Sequence, residues 1–187
     1  MLDLFVKYYE LAIRKNNKDY VTKYASDFSK GLPRIPVVKD KEKYVEVGRK
    51  LMDLHVNYEN VPVYDGVDIE GKSDPSYVVK KMKFARVKNS ETGKTEDDRS
   101  TIIFNDDITI RDIPEKAYEY VVNGRSAIEW IMDQYQIKTD KKSGITDDLN
   151  DFSDDPKYIF NLLLRIINIS VQTVDLVNSL PKLEIIE

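Results

Sequence analysis

Residues 158–177 read YIFNLLLRIINISVQTVDLV, the most apolar tract in the chain. The apolar positions wrap most of a helical circumference, so the tract predicts a helix that is covered on nearly every side. Asp155-Pro156 supplies a start and Pro181 follows the end, which sets the helix at about 155–179. Asn161, Arg165, Asn168, Gln172 and Asp175 interrupt the tract, and such residues are costly inside a bilayer. The tract therefore predicts the central core helix of a globular fold, and everything else must pack around it.

Two further helices are expected just before it. Asp112 and Pro114 suit a cap and a first helical residue, and Asn123-Gly124 suits a stop. Ser126 and Glu129 have capping-box spacing, which opens the second helix with Trp130 packed in the core. At the other end of the chain, Leu4, Phe5, Tyr8, Tyr9, Ala12 and Ile13 follow helical spacing. Tyr20, Val21, Tyr24 and Phe28 predict a second short helix stopped by Gly31. Leu32-Pro33-Arg34-Ile35-Pro36 predicts a stiff connector, and residues 40–55 a third helix through Tyr44, Val47, Leu51 and Leu54.

Between these helical ends the texture changes. Pro62, Gly66, Gly71 and Pro75 punctuate short loop-like segments. Residues 77–87 predict a strand, with Met82 and Phe84 on one face and Lys81 and Lys83 on the other. Residues 89–98 predict a polar loop, and residues 101–104 and 107–110 a hairpin turning at Asn105-Asp106. The expected class is α+β: a helical N-terminal connector, a small antiparallel sheet or hairpin, and a C-terminal helical bundle with a long buried helix.

With 187 residues the chain can form one domain with a full core or two small lobes. The net charge of −4 argues against autonomous, tight binding of nucleic acid. The absence of cysteine excludes disulfides, zinc-thiolate sites and thiol catalysis, and fits a reducing cytoplasm. A single histidine, His55, excludes any site needing two.

Most motif-like patterns dissolve on inspection. Thr92-Gly93-Lys94-Thr95 imitates the end of a phosphate loop, but Lys88 stands where the first glycine belongs and acids follow. Asp74-Pro75-Ser76-Tyr77 resembles the Asp-Pro-Pro-Tyr loop of amino-methyltransferases with its second proline lost. Asp147, Asp148, Asp151, Asp154 and Asp155 lack the spacing of a calcium loop and suit caps, so no metal site is expected. Asp65, Glu70 and Lys72 have the residue types of a metal-dependent nuclease at tight, loop-like spacing. No catalytic residue is assigned, and the nuclease stands as an alternative.

One basic cluster stands out: Lys80, Lys81, Lys83, Arg86, Lys88 and Arg99. Such a strand or hairpin can follow a phosphate backbone. It also suits charged residues that protect a sheet edge from pairing. Arg86, Arg99, Asn89 and Asn105 have the donors that base reading requires, while Arg125, Lys138, Lys141 and Lys142 can line or support the same surface.

Three stretches carry a family resemblance: Leu32-Pro33-Arg34-Ile35-Pro36, GRKLMDLHVNYE from Gly48, and Ile113-Pro114 through Asp155-Pro156. The block VVNGRSAIEWIMDQYQIKTDKKSGI carries most of it. Together they resemble the C-terminal part of Type ISP restriction-modification enzymes. These join a nuclease, an ATP-driven DNA translocase, an adenine-N6 methyltransferase and a C-terminal target-recognition domain in one polypeptide. The resemblance implies that residues 1–60 are a helical connector from a methyltransferase-type domain and residues 61–187 a DNA target-recognition domain. It implies a non-catalytic piece of a multidomain enzyme, with double-stranded DNA and the methyltransferase and translocase domains as partners and no membrane. No cofactor is expected in this chain; S-adenosylmethionine, ATP and Mg are expected in the full-length enzyme. A structural docking domain without base readout is the other alternative.

Overall fold

A computed structural model describes residues 18–26 and 36–186. The expected first helix, the Gly31 stop and the connector from Leu32 to Ile35 lie outside the described residues. The chain divides into two compact units, residues 1–58 with 172–187, and residues 59–171.

In the first unit, α1 (Lys18–Lys23) falls within the second predicted helix, whose Phe28 lies outside the described residues, and α2 (Lys41–Val56) carries the third. Tyr44, Val47 and Leu51 are buried on α2 as their spacing requires. Tyr20, Val38 and Tyr44 form a small core with Tyr24, Leu180 and Leu183 packed against it. The Tyr44 hydroxyl donates to the Pro181 carbonyl at 2.8 Å, which satisfies the polar tip of a buried ring. A bridge between Val38 and Ile185 ties the C-terminal segment alongside.

The second unit is built on an antiparallel sheet of order β1-β4-β3-β2: β1 (Asp68–Gly71), β2 (Lys83–Lys88), β3 (Thr95–Ile103) and β4 (Ile108–Arg111). The predicted hairpin is β3-β4, turning at Asn105 to Asp107. Ile108 and Ile110 are buried while Arg111 is exposed, the alternation of a half-buried strand. Three expectations change here. The polar loop is shorter, since β3 begins at Thr95 and pairs with β2 across the turn at 89–94. The predicted strand begins only at Lys83; residues 77–82 belong to no strand. Strand β1 forms in a region that reads as loops, with its four side chains all exposed and so no hydrophobic alternation to announce it.

A bulge interrupts β2-β3: Phe84 faces Ile102, but the next residue, Ala85, faces Asp98. Residues 99–101 are therefore looped out of β3. Their backbone is not orphaned. The Ser100 carbonyl accepts from Ile113 N–H at 3.0 Å, and the Arg99 carbonyl accepts from the Tyr118 hydroxyl at 2.7 Å.

The largest correction concerns residues 112–126. The expected helix is instead a 3-10 turn (Glu115–Tyr118) followed by a hairpin of β5 (Val121–Val122) and β6 (Arg125–Ser126). Asp112 has φ 60° and caps no helix. Asn123 and Gly124 have φ 50° and 82°, the left-handed pair that a two-residue hairpin turn demands. Past it the expected capping box is present: Ser126 Oγ accepts from Glu129 N–H at 3.2 Å, and Glu129 Oε2 accepts from Ser126 N–H at 3.0 Å. This opens α3 (Ala127–Gln134). The Lys/Asp-rich loop contains a further small hairpin, β7 (Lys138–Thr139) with β8 (Thr146–Asp147). Asp148 caps the 3-10 turn that follows, a capping role among the acids of 147–155.

The apolar tract is α4 (Tyr158–Asn178), whose residues are divided between the two units. In the second unit Ile159, Phe160, Leu163, Leu164 and Ile167 join Ile102, Phe104, Ile108 and Ile110 of the sheet and Ile128 and Met132 of α3 in one core. The helix is long and apolar enough to cross a membrane, yet 56% of that stretch is buried inside the fold. The expected helical bundle is thus α3 and α4 packed on a sheet, not three helices side by side.

Candidate nucleic-acid interface

The basic cluster is anchored by an arm, residues 76–82, that runs into β2. It has no strand partner, so its backbone bonds come from side chains and a neighbouring loop. Asn105 Nδ2 donates to the carbonyls of Ser76 and Val78 at 2.7 and 3.0 Å. Asn150 brackets Val79, accepting from its N–H at 2.8 Å and donating to its carbonyl at 2.9 Å. Ile137 N–H donates to the Lys80 carbonyl at 2.9 Å. The buried side chains of Val79 and Met82 fix the arm's inner face. Lys81 and Lys83 are then exposed while Phe84 packs against the core with Met82, which is the predicted two-faced pattern; Lys80, in phase with Met82, is exposed as well.

The lysines and arginines of the cluster differ in state. Among the described residues Lys80, Lys81, Lys83, Lys88, Lys141 and Lys142 have no ion-pair partner. Every arginine candidate has one. Arg86 meets Asp97 across the β2-β3 hairpin at 2.6 Å and donates to the Thr95 carbonyl at 2.8 Å. Arg99, pushed out by the bulge, bonds Glu129 and lies over the rings of Tyr118 and Phe84 at 5.1 and 5.7 Å. Arg125 and Lys138 both approach Asp133 at 3.4 Å.

The two asparagines read as base contacts are occupied by architecture. Asn105 uses both amide hydrogens on the arm, and its Oδ1 accepts from Asp107 and Ile108 N–H at 2.9 and 2.8 Å. Asn89 Oδ1 accepts from Glu91 and Thr92 N–H, and its Nδ2 donates to Glu96, so it shapes the β2-β3 turn. In both, the Oδ1 that the paired contact with adenine needs as acceptor already takes two turn N–H groups.

Two recesses collect part of the set. Lys80, Lys81 and Asn105 line one of about 360 Å³. Lys81 also lines a second of about 300 Å³, together with Arg125, Asp97, Asp133 and Gln136. Lys81 is thus common to both, whereas Lys88, at the end of β2, and Lys141 and Lys142, in the β7-β8 turn, line neither.

Carboxylates between the cations are held ionised. Lys138, with Arg125 adding, keeps the Asp133 carboxyl below the usual carboxylate range. Partial burial pushes Glu129 up, but the Ser126 hydroxyl and amide and Arg99 outweigh it and the net direction is down. These acids mask the arginines and leave the lysines as the available positive charge.

Trp130 was expected in the core and is not there. It is 39% exposed, its Nε1–H donates to the Val122 carbonyl at 2.7 Å, and Arg125 lies over its ring at 5.4 Å. Of the nuclease candidates, Glu70 pairs with Arg111 at 2.8 Å and Lys72 with Asp107. Among the described residues no three metal-ligating side chains form a group.

The fold has counterparts among known proteins. The model of the Type ISP C-terminal specificity domain matches residues 6–162, and the chain belongs to that family. It is similar to the Type ISP restriction-modification enzyme LlaGI, solved as a nuclease-deletion mutant in complex with a DNA substrate mimic. The two share 55% identity and a TM-score of 0.84 over 98% of this chain and 14% of that one. It is similar to LlaBIII, an ATP-dependent Type ISP enzyme solved bound to DNA, at 53% identity and TM-score 0.83 over 96% of this chain and 11% of that one. The fold is shared with DrdV in its DNA complex, at 24% identity and TM-score 0.75 over 96% of this chain and 18% of that one. The chain therefore spans about a seventh or less of the length of the Type ISP enzymes it matches. No curated protein matches it.

Proposed function

We propose that this chain is the DNA target-recognition module of a single-chain restriction-modification enzyme, and that residues 59–171 are the part that meets the duplex. The observation that carries this reading is the match over nearly the whole chain to two enzymes solved with DNA or a DNA mimic at 55% and 53% identity. The unpaired lysines of the arm give it a physical basis, since lysine acts on phosphate as a point charge. The module itself performs no chemistry. Adenine methylation with S-adenosylmethionine, ATP-dependent translocation and Mg-dependent cleavage belong to other domains of the same polypeptide. Residues of the first unit connect to them, and the whole acts in the cytoplasm.

In this reading Lys80, Lys81 and Lys83 position the backbone and Lys88, Lys141 and Lys142 lie at its margins. The net charge of −4 then has an explanation: the other domains supply the general attraction to phosphate, and this unit needs only local cations.

Binding of duplex DNA should weaken as salt rises. Lys81→Ala with Lys83→Ala should flatten the log–log slope by about 1.8, from roughly 0.9 for each lost phosphate contact. Fluorescence anisotropy over a salt series measures it. An unchanged slope removes the arm from the interface.

A further inference from the structure

Arg125 is held more firmly than an exposed arginine needs to be. It directly follows the left-handed pair Asn123-Gly124, in a hairpin where its cross-strand partner is Val122. Trp130 donates to the carbonyl of that same Val122 at 2.7 Å, so the ring is fixed to the strand opposite Arg125. The guanidinium lies over the ring at 5.4 Å, and one corner, Nη1, meets Asp133 Oδ2 at 3.4 Å. A hairpin, an aromatic face and a carboxylate thus orient one side chain that is about half exposed. Little stability comes from such an exposed pair. What the arrangement supplies is a guanidinium plane of set direction, with its ordering entropy already lost before binding.

Among the described residues Nε and Nη2 of Arg125 carry no hydrogen bond. That free edge presents two parallel N–H donors, the complement of the N7 and O6 acceptors that guanine shows in the major groove. Lys81 lines the same recess. A backbone-type cation and a base-type fork therefore share one concave site. We propose that Arg125 is a specificity-determining residue that reads one guanine through this edge, and that Trp130 and Asp133 are its positioning residues. Arg86 and Arg99 differ, since Arg86 also serves the Thr95 carbonyl and Arg99 is spread over two rings that belong to the core.

This inference rests on the recognition reading above, and one experiment separates the two. A Type ISP relative carrying this chain in place of its own C-terminal segment selects from a pool of randomised duplexes, and the enriched sequences are compared between wild type and Arg125→Lys. The lysine keeps the charge and a partner for Asp133 but loses the planar fork. The expected result is one position where wild type demands guanine and R125K loses that demand by roughly five- to a hundredfold. Preferences elsewhere and the salt slope stay as they were. Trp130→Leu and Asp133→Asn should weaken the preference at that same position by less. Preferences unchanged at every position in R125K overturn the assignment and leave Arg125 as a phosphate contact. A wild-type chain that enriches no sequence overturns the recognition reading itself.

Discussion

Phe104→Ala is expected to destabilise the second unit by about 3–5 kcal/mol, the usual range for truncating a buried phenylalanine. Phe104 is 0% exposed and meets Phe160 edge-on at 5.3 Å, so its ring joins the sheet to the long helix. Its N–H also donates to Ile108 at the neck of the β3-β4 hairpin. The backbone bond survives the substitution while the ring leaves a cavity lined by Phe160 and the neighbouring apolar side chains. Domains of this size are stable by about 5–15 kcal/mol, so the loss takes a large share of the total. Denaturant unfolding reads it as a fall in midpoint at constant slope. A loss below about 1 kcal/mol would contradict the placement of this ring at the centre of the core.

The second large effect is expected at Asn105. Its side chain makes four hydrogen bonds, two closing the β3-β4 turn and two holding the arm that carries the lysines. At about 0.5–1.5 kcal/mol each, Asn105→Ala should cost roughly 2–6 kcal/mol. Asn105→Asp keeps the two acceptor bonds of the turn but sets a carboxylate oxygen against the two arm carbonyls, so it should loosen the arm while leaving the turn closed. The two variants also sort architecture from recognition. With Asn105 as a clamp, duplex affinity measured well below the unfolding temperature falls only as far as the arm loosens. A variant of full stability that no longer binds would show that Asn105 touches DNA directly.

What was legible in the sequence is what local chemistry decides. The Ser126-Glu129 capping box, the all-round apolar helix and the β3-β4 hairpin each carry their signal within a few residues. The errors share a different origin. Asn123-Gly124 can stop a helix or turn a hairpin, because both need left-handed backbone, and only the pairing of Val121-Val122 with Arg125-Ser126 decides. The two-residue strands β5 to β8 are too short to show any period. Trp130 has the helical spacing of a core residue, but the hairpin beside it offers a carbonyl and a cation at the surface instead.

The candidate site was legible as a set of residue types and not as a set of states. Lys81 and Lys83 emerge exposed on the face opposite Met82, as alternation predicts. The arginines do not stand free, because each meets an acid that is distant in sequence or on another element: Arg99 with Glu129, Arg125 with Asp133. Pairing across thirty positions, as between Arg99 and Glu129, leaves no local trace. The two asparagines taken as base readers are spent on turns for the same reason that asparagine favours turns anywhere.

Residues 59–171 are the segment proposed to carry the sequence preference. Grafting them in place of the corresponding segment of a Type ISP relative, and mapping the DNA sequence that the hybrid binds and methylates, tests this. The target should change to the one preferred by this chain. A hybrid that folds and stays active on the relative's own target would contradict it.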